Sequence, residues 1–147
     1  MILFLACGSM CCLVAAMFTD ATTYRIPNAL SFAVAAGALL NALLAGDPAL
    51  LGWRQALLLF AVSLCLYSRN VMGGGDVKLL TACALWLPDH MGTFLFVTAC
   101  SGGLLALLYG VKGLFEGRRP SVIPYGVAIG IGGLAGLWNI VGPALIG

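Results

Sequence analysis

The sequence predicts an all-α integral membrane protein built as a bundle of six transmembrane helices. Hydrophobic residues make up 62% of the 147 residues, and charged residues only 8%. The mean hydropathy is +1.08. Soluble domains carry about 25% charged residues, so this chain has too little polar surface to face water on all sides. Its apolar runs are continuous and do not alternate, which favours helices over the strands of a membrane barrel.

Six apolar runs are candidate spans, and polar residues, Arg and Pro concentrate in the breaks between them. The runs are Ile2–Phe18, Asn28–Ala45, Gln55–Tyr67, Val77–Pro88, Met91–Val111 and Tyr125–Ile146. No polar stretch is long enough to fold separately in water, so we expect a single membrane-embedded domain over residues 1–147. The 20 glycines predict close packing between helices.

Each run has its own justification. The first lacks the charged start and the cleavage site of a signal peptide, so we expect a retained helix. The second follows Pro27, which suits the first turn of a helix, and Asn28 is a capping residue type. The fourth has only 12 residues and would cover ~18 Å of a ~30 Å hydrocarbon core. The third, fifth and sixth are bounded by Arg, Lys or Pro.

The cationic residues predict the orientation. Six of the seven lie in or beside the first, third and fifth connections, and the seventh, Arg54, lies in the second. The six are Arg25, Arg69, Lys78, Lys112, Arg118 and Arg119. Positive residues favour the cytoplasmic side, so the odd connections are predicted there and both termini on the other side. A net charge of +2 without a basic stripe does not indicate nucleic-acid binding.

Two of the five acidic residues are candidate site residues. Asp47, Asp89 and Glu116 lie in connecting loops, where solvation explains them. Asp20 and Asp76 each abut a hydrophobic helix end on the same predicted side. Carboxylates at membrane depth are costly and usually functional.

A pair of carboxylates can hydrolyse a peptide without a metal. The ionised member takes a proton from water, and the protonated member donates to the scissile carbonyl. The glycines at positions 73, 74 and 75 leave room for a substrate backbone. Taken alone they are better explained by a flexible turn, but a glycine-rich turn that ends in Asp76 at membrane depth favours a site. Neither the six cysteines nor the single histidine, His90, forms a recognisable metal motif, so we expect no metal and no cofactor.

These residues resemble the motifs of the type IV prepilin peptidases, a family of G-x-G-D membrane aspartic proteases. Gly73-Gly74-Gly75-Asp76-Val77-Lys78 is similar to the signature motif. Asp20 followed by Ile26-Pro27-Asn28 resembles the first catalytic motif. Pro124-Tyr125-Gly126 is similar to the start of the family's last helix. The motifs occur in the family's order and span nearly the whole chain.

The resemblance implies an aspartic endopeptidase of the bacterial inner membrane. It would remove the basic leader peptide from prepilins or pseudopilins at the cytoplasmic face, with Asp20 and Asp76 as the catalytic pair. Gly73–Gly75, Lys78, Pro27, Asn28 and Pro124–Gly126 would bind substrate or shape the site. The chain lacks the paired C-x-x-C loop of larger, N-methylating members and is most similar to the short peptidases of tight-adherence (Flp) pilus systems.

Two other functional classes use the same residues differently. A small ion or proton transporter could relay cations through the two aspartates, and a pilus-assembly scaffold could retain the fold without catalysis. A transporter would be expected to have charged residues deeper in the spans and an acceptor on the outer side, and neither is evident in the sequence. A scaffold predicts the loss of one aspartate, and both are present.

Overall fold

The computed structural model describes residues 2–47, 49, 51–115 and 123–146. Within them the chain forms six α-helices and no strand. The helices are α1 (Ile2–Thr23), α2 (Asn28–Ala45), α3 (Trp53–Ser68), α4 (Gly74–Trp86), α5 (Met91–Phe115) and α6 (Tyr125–Ile146). The predicted all-helical fold with six helices is therefore confirmed. Glu116, Arg118 and Arg119 lie outside the described residues.

Four of the helices, α1, α2, α5 and α6, are long and apolar enough to cross a membrane. The other two are shorter, with 16 residues in α3 and 13 in α4. Two boundaries differ from the predicted runs in ways that concern the aspartates. Helix α1 continues to Thr23, so Asp20 lies within its last turns, and α4 begins at Gly74, before Asp76.

Helix α4 is the centre of the bundle. Its main contacts are with α2, α3 and α6, while α1 packs on α2 and α6, and α5 packs on α6. Seven of its 13 residues are buried, among them Leu79, Cys83 and Trp86. The Trp86 indole N–H donates a hydrogen bond to the Val34 carbonyl in α2, at 2.9 Å. Between Leu79 and Trp86 the helix is apolar except for Thr81, which suits this enclosed position.

Glycines on α6 let the neighbouring helices approach closely. A Cβ atom at Gly133 would lie 2.9 Å from a Leu13 methyl carbon of α1. A Cβ atom at Gly132 would lie 2.8 Å from the Phe94 carbonyl oxygen of α5. Small residues at such interfaces are typical of membrane helix packing. The glycines of α6 thus allow the close helix packing that the sequence predicts. This close packing places the first turn of α6 against the end of α1.

Candidate active site

Asp20 is a buried carboxylate at the end of α1. Its exposed fraction is only 5%, and Oδ2 has no hydrogen-bond partner among the described residues. The backbone N–H groups of Gly126 and Val127, in the first turn of α6, face the carboxyl group. Gly126 permits this approach, because a Cβ atom there would lie 2.8 Å from Oδ2. The α6 terminus therefore offers Asp20 the positive end of a helix.

Asp76 lies in the first turn of α4, outside the four membrane-length helices. The Gly73 N–H donates a hydrogen bond to Asp76 Oδ2, at 3.2 Å, at the N-terminal cap of the helix. Burial raises the pKa of Asp76 to about 6, with the negative charge of Asp20 as a second cause and the Gly73 hydrogen bond opposing both. The two carboxyl groups therefore interact, and this charge interaction favours retention of a proton.

Both aspartates line one open cavity of about 810 Å³. Its walls come from the ends of α1 and α3, the starts of α2, α4 and α6, and the connections between them. The lining residues are Asp20, Tyr24, Arg25, Ile26, Asn28, Tyr67, Asn70, Val71, Met72, Gly73, Gly74, Gly75, Asp76, Ile123 and Tyr125. The first, third and fifth connections thus meet at one end of the bundle. Two carboxyl groups and one arginine give this cavity its charged groups.

The three glycines before Asp76 are not the free turn that the sequence suggested. Gly73 has an extended backbone and precedes α4, whereas Gly74 and Gly75 are its first residues. Gly46 is the one described glycine with a positive φ, so the backbone at Gly74 does not require a glycine. A Cβ atom at Gly74 would make an ordinary 3.5 Å contact with the Tyr67 ring. At Gly75 it would lie 3.2 Å from Ile26 Cβ, so this glycine is the more constrained.

Four further predicted site residues differ in their relation to the cavity. Asn28 and Tyr125 line it directly. Pro27 precedes α2 and is exposed, and it is not among the lining residues. Pro124 is buried, and its carbonyl accepts the Val127 N–H at 3.3 Å, which starts α6 beside Asp20.

Lys78 contacts neither aspartate by a hydrogen bond. Its Nζ donates to Asn28 Oδ1 at 2.9 Å and joins the start of α4 to the start of α2. It lines a second, smaller cavity instead of the one that holds the aspartates. The resemblance placed Lys78 among the residues that would bind substrate or shape the site, and its hydrogen bond to Asn28 was not predicted from the sequence.

Several cavity residues were not predicted from the sequence. Tyr24 ends α1 in a left-handed conformation, with φ at 52°, and shares a side-chain hydrogen bond with Tyr109 of α5. Asn70 follows α3 with a φ of 56°. Non-glycine residues rarely adopt this conformation, and they cluster at functional sites. The only feature of the sequence that could have identified Tyr24 and Asn70 is their position, since each follows the end of a helix and lies next to a predicted motif.

In the described part of the chain, no three His, Cys, Asp or Glu side chains are grouped closely enough to hold a metal ion. Cys83 is buried in the core, and the other five cysteines lie on the outer parts of α1, α3 and α5 as free thiols. The arrangement around Asp20 and Asp76 therefore has two carboxyl groups as its reactive side chains.

Residues 7–111 match the model of the type IV leader peptidase family, and this range includes both aspartates and the glycines before Asp76. The segment Pro124–Gly126 lies beyond the matched range. No curated protein and no solved structure gives a significant match. The family match covers more than half of the chain, and the chain belongs to the type IV leader peptidase family.

Proposed function

We propose that this membrane peptidase is an aspartic endopeptidase whose catalytic residues are Asp20 and Asp76. The observation that carries the proposal is their placement in one open cavity at one end of the bundle. The negative charge of Asp20 is a second cause, after burial, that raises the pKa of Asp76. Such coupling is what a pair that shares one proton requires.

The reaction proceeds through water held between the carboxyl groups. The ionised carboxylate takes a proton from the water as its oxygen attacks the scissile carbonyl carbon. The protonated carboxyl group donates its proton to the carbonyl oxygen. In the resulting diol, the C–N bond breaks as the nitrogen receives a proton and one hydroxyl loses its own. The products are a carboxylic acid and an amine, and the pair again holds one proton.

The substrates proposed are the basic leader peptides of prepilins or pseudopilins, cleaved before a hydrophobic segment. The family match supports a leader peptidase in general. The finer assignments are part of the proposal: the cytoplasmic face of a bacterial inner membrane, and a pilus of the tight-adherence type. Gly73 and Gly126 support the pair by leaving room beside the carboxyl groups of Asp76 and Asp20, respectively.

Co-expression with a prepilin, followed by mass measurement of the pilin, tests the proposal. We expect the mass to fall by that of the leader peptide with the wild-type protein and to remain unchanged with Asp76→Ala. The same measurement reports whether the new N-terminus is methylated. Full removal of the leader by an inserted Asp76→Ala protein would contradict the assignment of the catalytic pair.

A further inference from the structure

Ile26 lies in the short connection between α1 and α2, directly before Pro27. Helix α1 ends at Thr23 and α2 begins at Asn28, so only residues 24–27 lie between them. The proline ring disfavours the helical conformation for the residue before it, so it favours an extended backbone at Ile26. The Ile26 side chain is partly buried and packs against the hydrophobic core of the bundle. It therefore projects inward from a connection whose conformation is restricted.

One part of this side chain lies against the start of α4, next to Asp76. A Cβ atom at Gly75, the residue before Asp76, would lie 3.2 Å from Ile26 Cβ and 3.6 Å from Ile26 Cγ1. The backbone nitrogen of Ile26 would lie 3.7 Å from the same Cβ atom. The first turn of α4 thus packs directly on Ile26, and a side chain at position 75 would crowd this contact.

The far end of the same side chain lies against the start of α6, next to Asp20. A Cβ atom at Gly126 would lie 2.6 Å from Ile26 Cδ1. The same atom would lie 2.8 Å from Asp20 Oδ2 and 2.9 Å from Asp20 Cγ. Ile26 Cδ1 and the Asp20 carboxyl group therefore approach α6 at the same residue. Ile26 also lines the cavity that contains both aspartates.

The Ile26 side chain thus extends from the residue before Asp76 to the residue that contacts Asp20. Packed side chains resist both compression and the opening of voids, so a side chain in this place limits how closely the starts of α4 and α6 approach. Asp76 belongs to α4, and the position of Asp20 depends on its fit against α6. The distance between the two carboxyl groups therefore depends on the side-chain volume at position 26.

We propose that Ile26 is a positioning residue that sets the separation of the Asp20 and Asp76 carboxyl groups. The proposal rests on the proposed function, since it takes these two residues as the catalytic pair. Two carboxyl groups that act on one water molecule must be held at a defined separation, because a misplacement of about 1 Å costs roughly 100-fold in rate. Ile26 acts on the reaction through the placement of the pair.

Kinetics of three Ile26 variants test this role. Ile26→Ala removes the atoms that extend to Gly126, and we expect kcat for leader cleavage to fall roughly tenfold or more with little change in KM. Ile26→Leu keeps the side-chain volume and should restore most of the lost kcat. Ile26→Val removes only Cδ1 and should give a smaller loss of the same kind, so it tests the proposal even if the alanine variant does not fold.

Ile129→Val is the matched control, because Ile129 is a buried isoleucine of α6 that does not line the cavity. It loses the same Cδ1 atom as Ile26→Val, so it should lower the melting temperature without lowering kcat. If the Ile26 variants also lowered the melting temperature alone, Ile26 would be an ordinary packing residue and the proposal would be overturned. A rise in KM at unchanged kcat would overturn it too, since Ile26 would then act by contact with the substrate.

Titration of Asp76 in the resting protein tests the separation without a substrate. The Asp76 carboxyl band is followed by infrared spectroscopy and is assigned by its loss in Asp76→Asn. The negative charge of Asp20 raises the pKa of Asp76, so Asp20→Asn should lower that pKa. We expect a smaller decrease in the Ile26→Ala background, because water that fills the vacated space screens the charge interaction. An equal decrease in both backgrounds would overturn the proposal.

The other titratable or charged side chains near the pair stay unchanged in these variants. They are Tyr24, Arg25, Tyr67 and Tyr125, which line the cavity, and Tyr109, which shares a hydrogen bond with Tyr24. A smaller decrease in Ile26→Ala, together with no leader cleavage by the wild type, would support the role of Ile26 and contradict the proposed function. Cleavage by the wild type, together with an equal decrease in Ile26→Ala, would contradict the role of Ile26 alone.

Discussion

The carboxyl group of Asp20 depends on a residue without a side chain. Gly126 lies against Oδ2, and the N–H groups of Gly126 and Val127 face the carboxyl group from the start of α6. Any side chain at position 126 would occupy the space that the carboxyl group now uses. Placement of Asp20 therefore depends on a contact between the two helices furthest apart in sequence.

Gly126→Ala should impair cleavage more than it impairs folding. The added Cβ atom would lie 2.6 Å from Ile26 Cδ1 and 2.8 Å from Asp20 Oδ2, so one of these side chains must move. A misplacement of about 1 Å costs roughly 100-fold in rate, so we expect a 10- to 100-fold loss of kcat/KM. The measurement is leader cleavage by purified protein in detergent.

Gly74→Ala is the control for this change, because its Cβ atom would lie 3.5 Å from the Tyr67 ring, an ordinary contact. We expect this variant to cleave at close to the wild-type rate. If Gly126→Ala cleaved as fast as Gly74→Ala, the fit between Asp20 and α6 would have no role in catalysis.

At the scale of the helices, their number and type could be predicted from sequence, but the start of α4 could not. Six apolar runs fix six helices, because backbone polar groups in lipid must be satisfied within each segment. Three consecutive glycines have low intrinsic helix propensity, so the sequence predicts a turn at this point. In the structure, the Asp76 carboxylate accepts the Gly73 N–H, and this local hydrogen bond helps α4 begin at Gly74.

The contact between α5 and α6 depends on Gly132. A Cβ atom there would lie 2.8 Å from the Phe94 carbonyl oxygen and 3.1 Å from the Thr98 nitrogen, so it would meet backbone that cannot rotate away. We expect Gly132→Ala to lower the free energy of unfolding by about 1–3 kcal/mol, the usual cost of overpacking. Thermal unfolding in detergent measures this loss.

Gly103 of α5 offers a matched control, since a Cβ atom there meets nothing within 4 Å. Gly103→Ala should be neutral or slightly stabilising, because alanine loses less conformational freedom than glycine in a helix. Equal stabilities of Gly132→Ala and Gly103→Ala would mean that close approach at α6 does not hold the bundle together.

For the whole molecule, the sequence predicts that both aspartates lie at one end, but not how the cavity is built. The cationic residues and the motifs both placed Asp20 and Asp76 on one side. The hydrogen bond between Lys78 and Asn28 joins residues 50 positions apart, and the order in which the helices pack also depends on contacts between distant residues. Such contacts arise from the packing of α2 on α4, which no local pattern specifies. Tyr24 and Asn70 likewise line the cavity because segments that are distant in sequence meet at this end of the bundle.

The orientation of the bundle remains a prediction with a direct measurement. Arg25, Asn70 and Ile123 come from the first, third and fifth connections, and all three line one cavity. The cationic bias places that end in the cytoplasm. Reporter fusions at Gly147 and near Arg118 should therefore give opposite signals, with the fusion near Arg118 inside. Matching signals would be incompatible with six membrane crossings.

If Asp20 and Asp76 act as one catalytic unit, kinetics of the two single variants and the double variant of the purified protein will show it most directly. Residues that act as a unit give strongly non-additive losses. Asp20→Asn and Asp76→Asn should each lower kcat/KM for leader cleavage on the order of 10³-fold or more, and the double variant should lose no more than either. Asp47→Asn, in an exposed loop, should cleave normally. Substantial activity in either single variant, or losses that multiply in the double variant, would contradict the account.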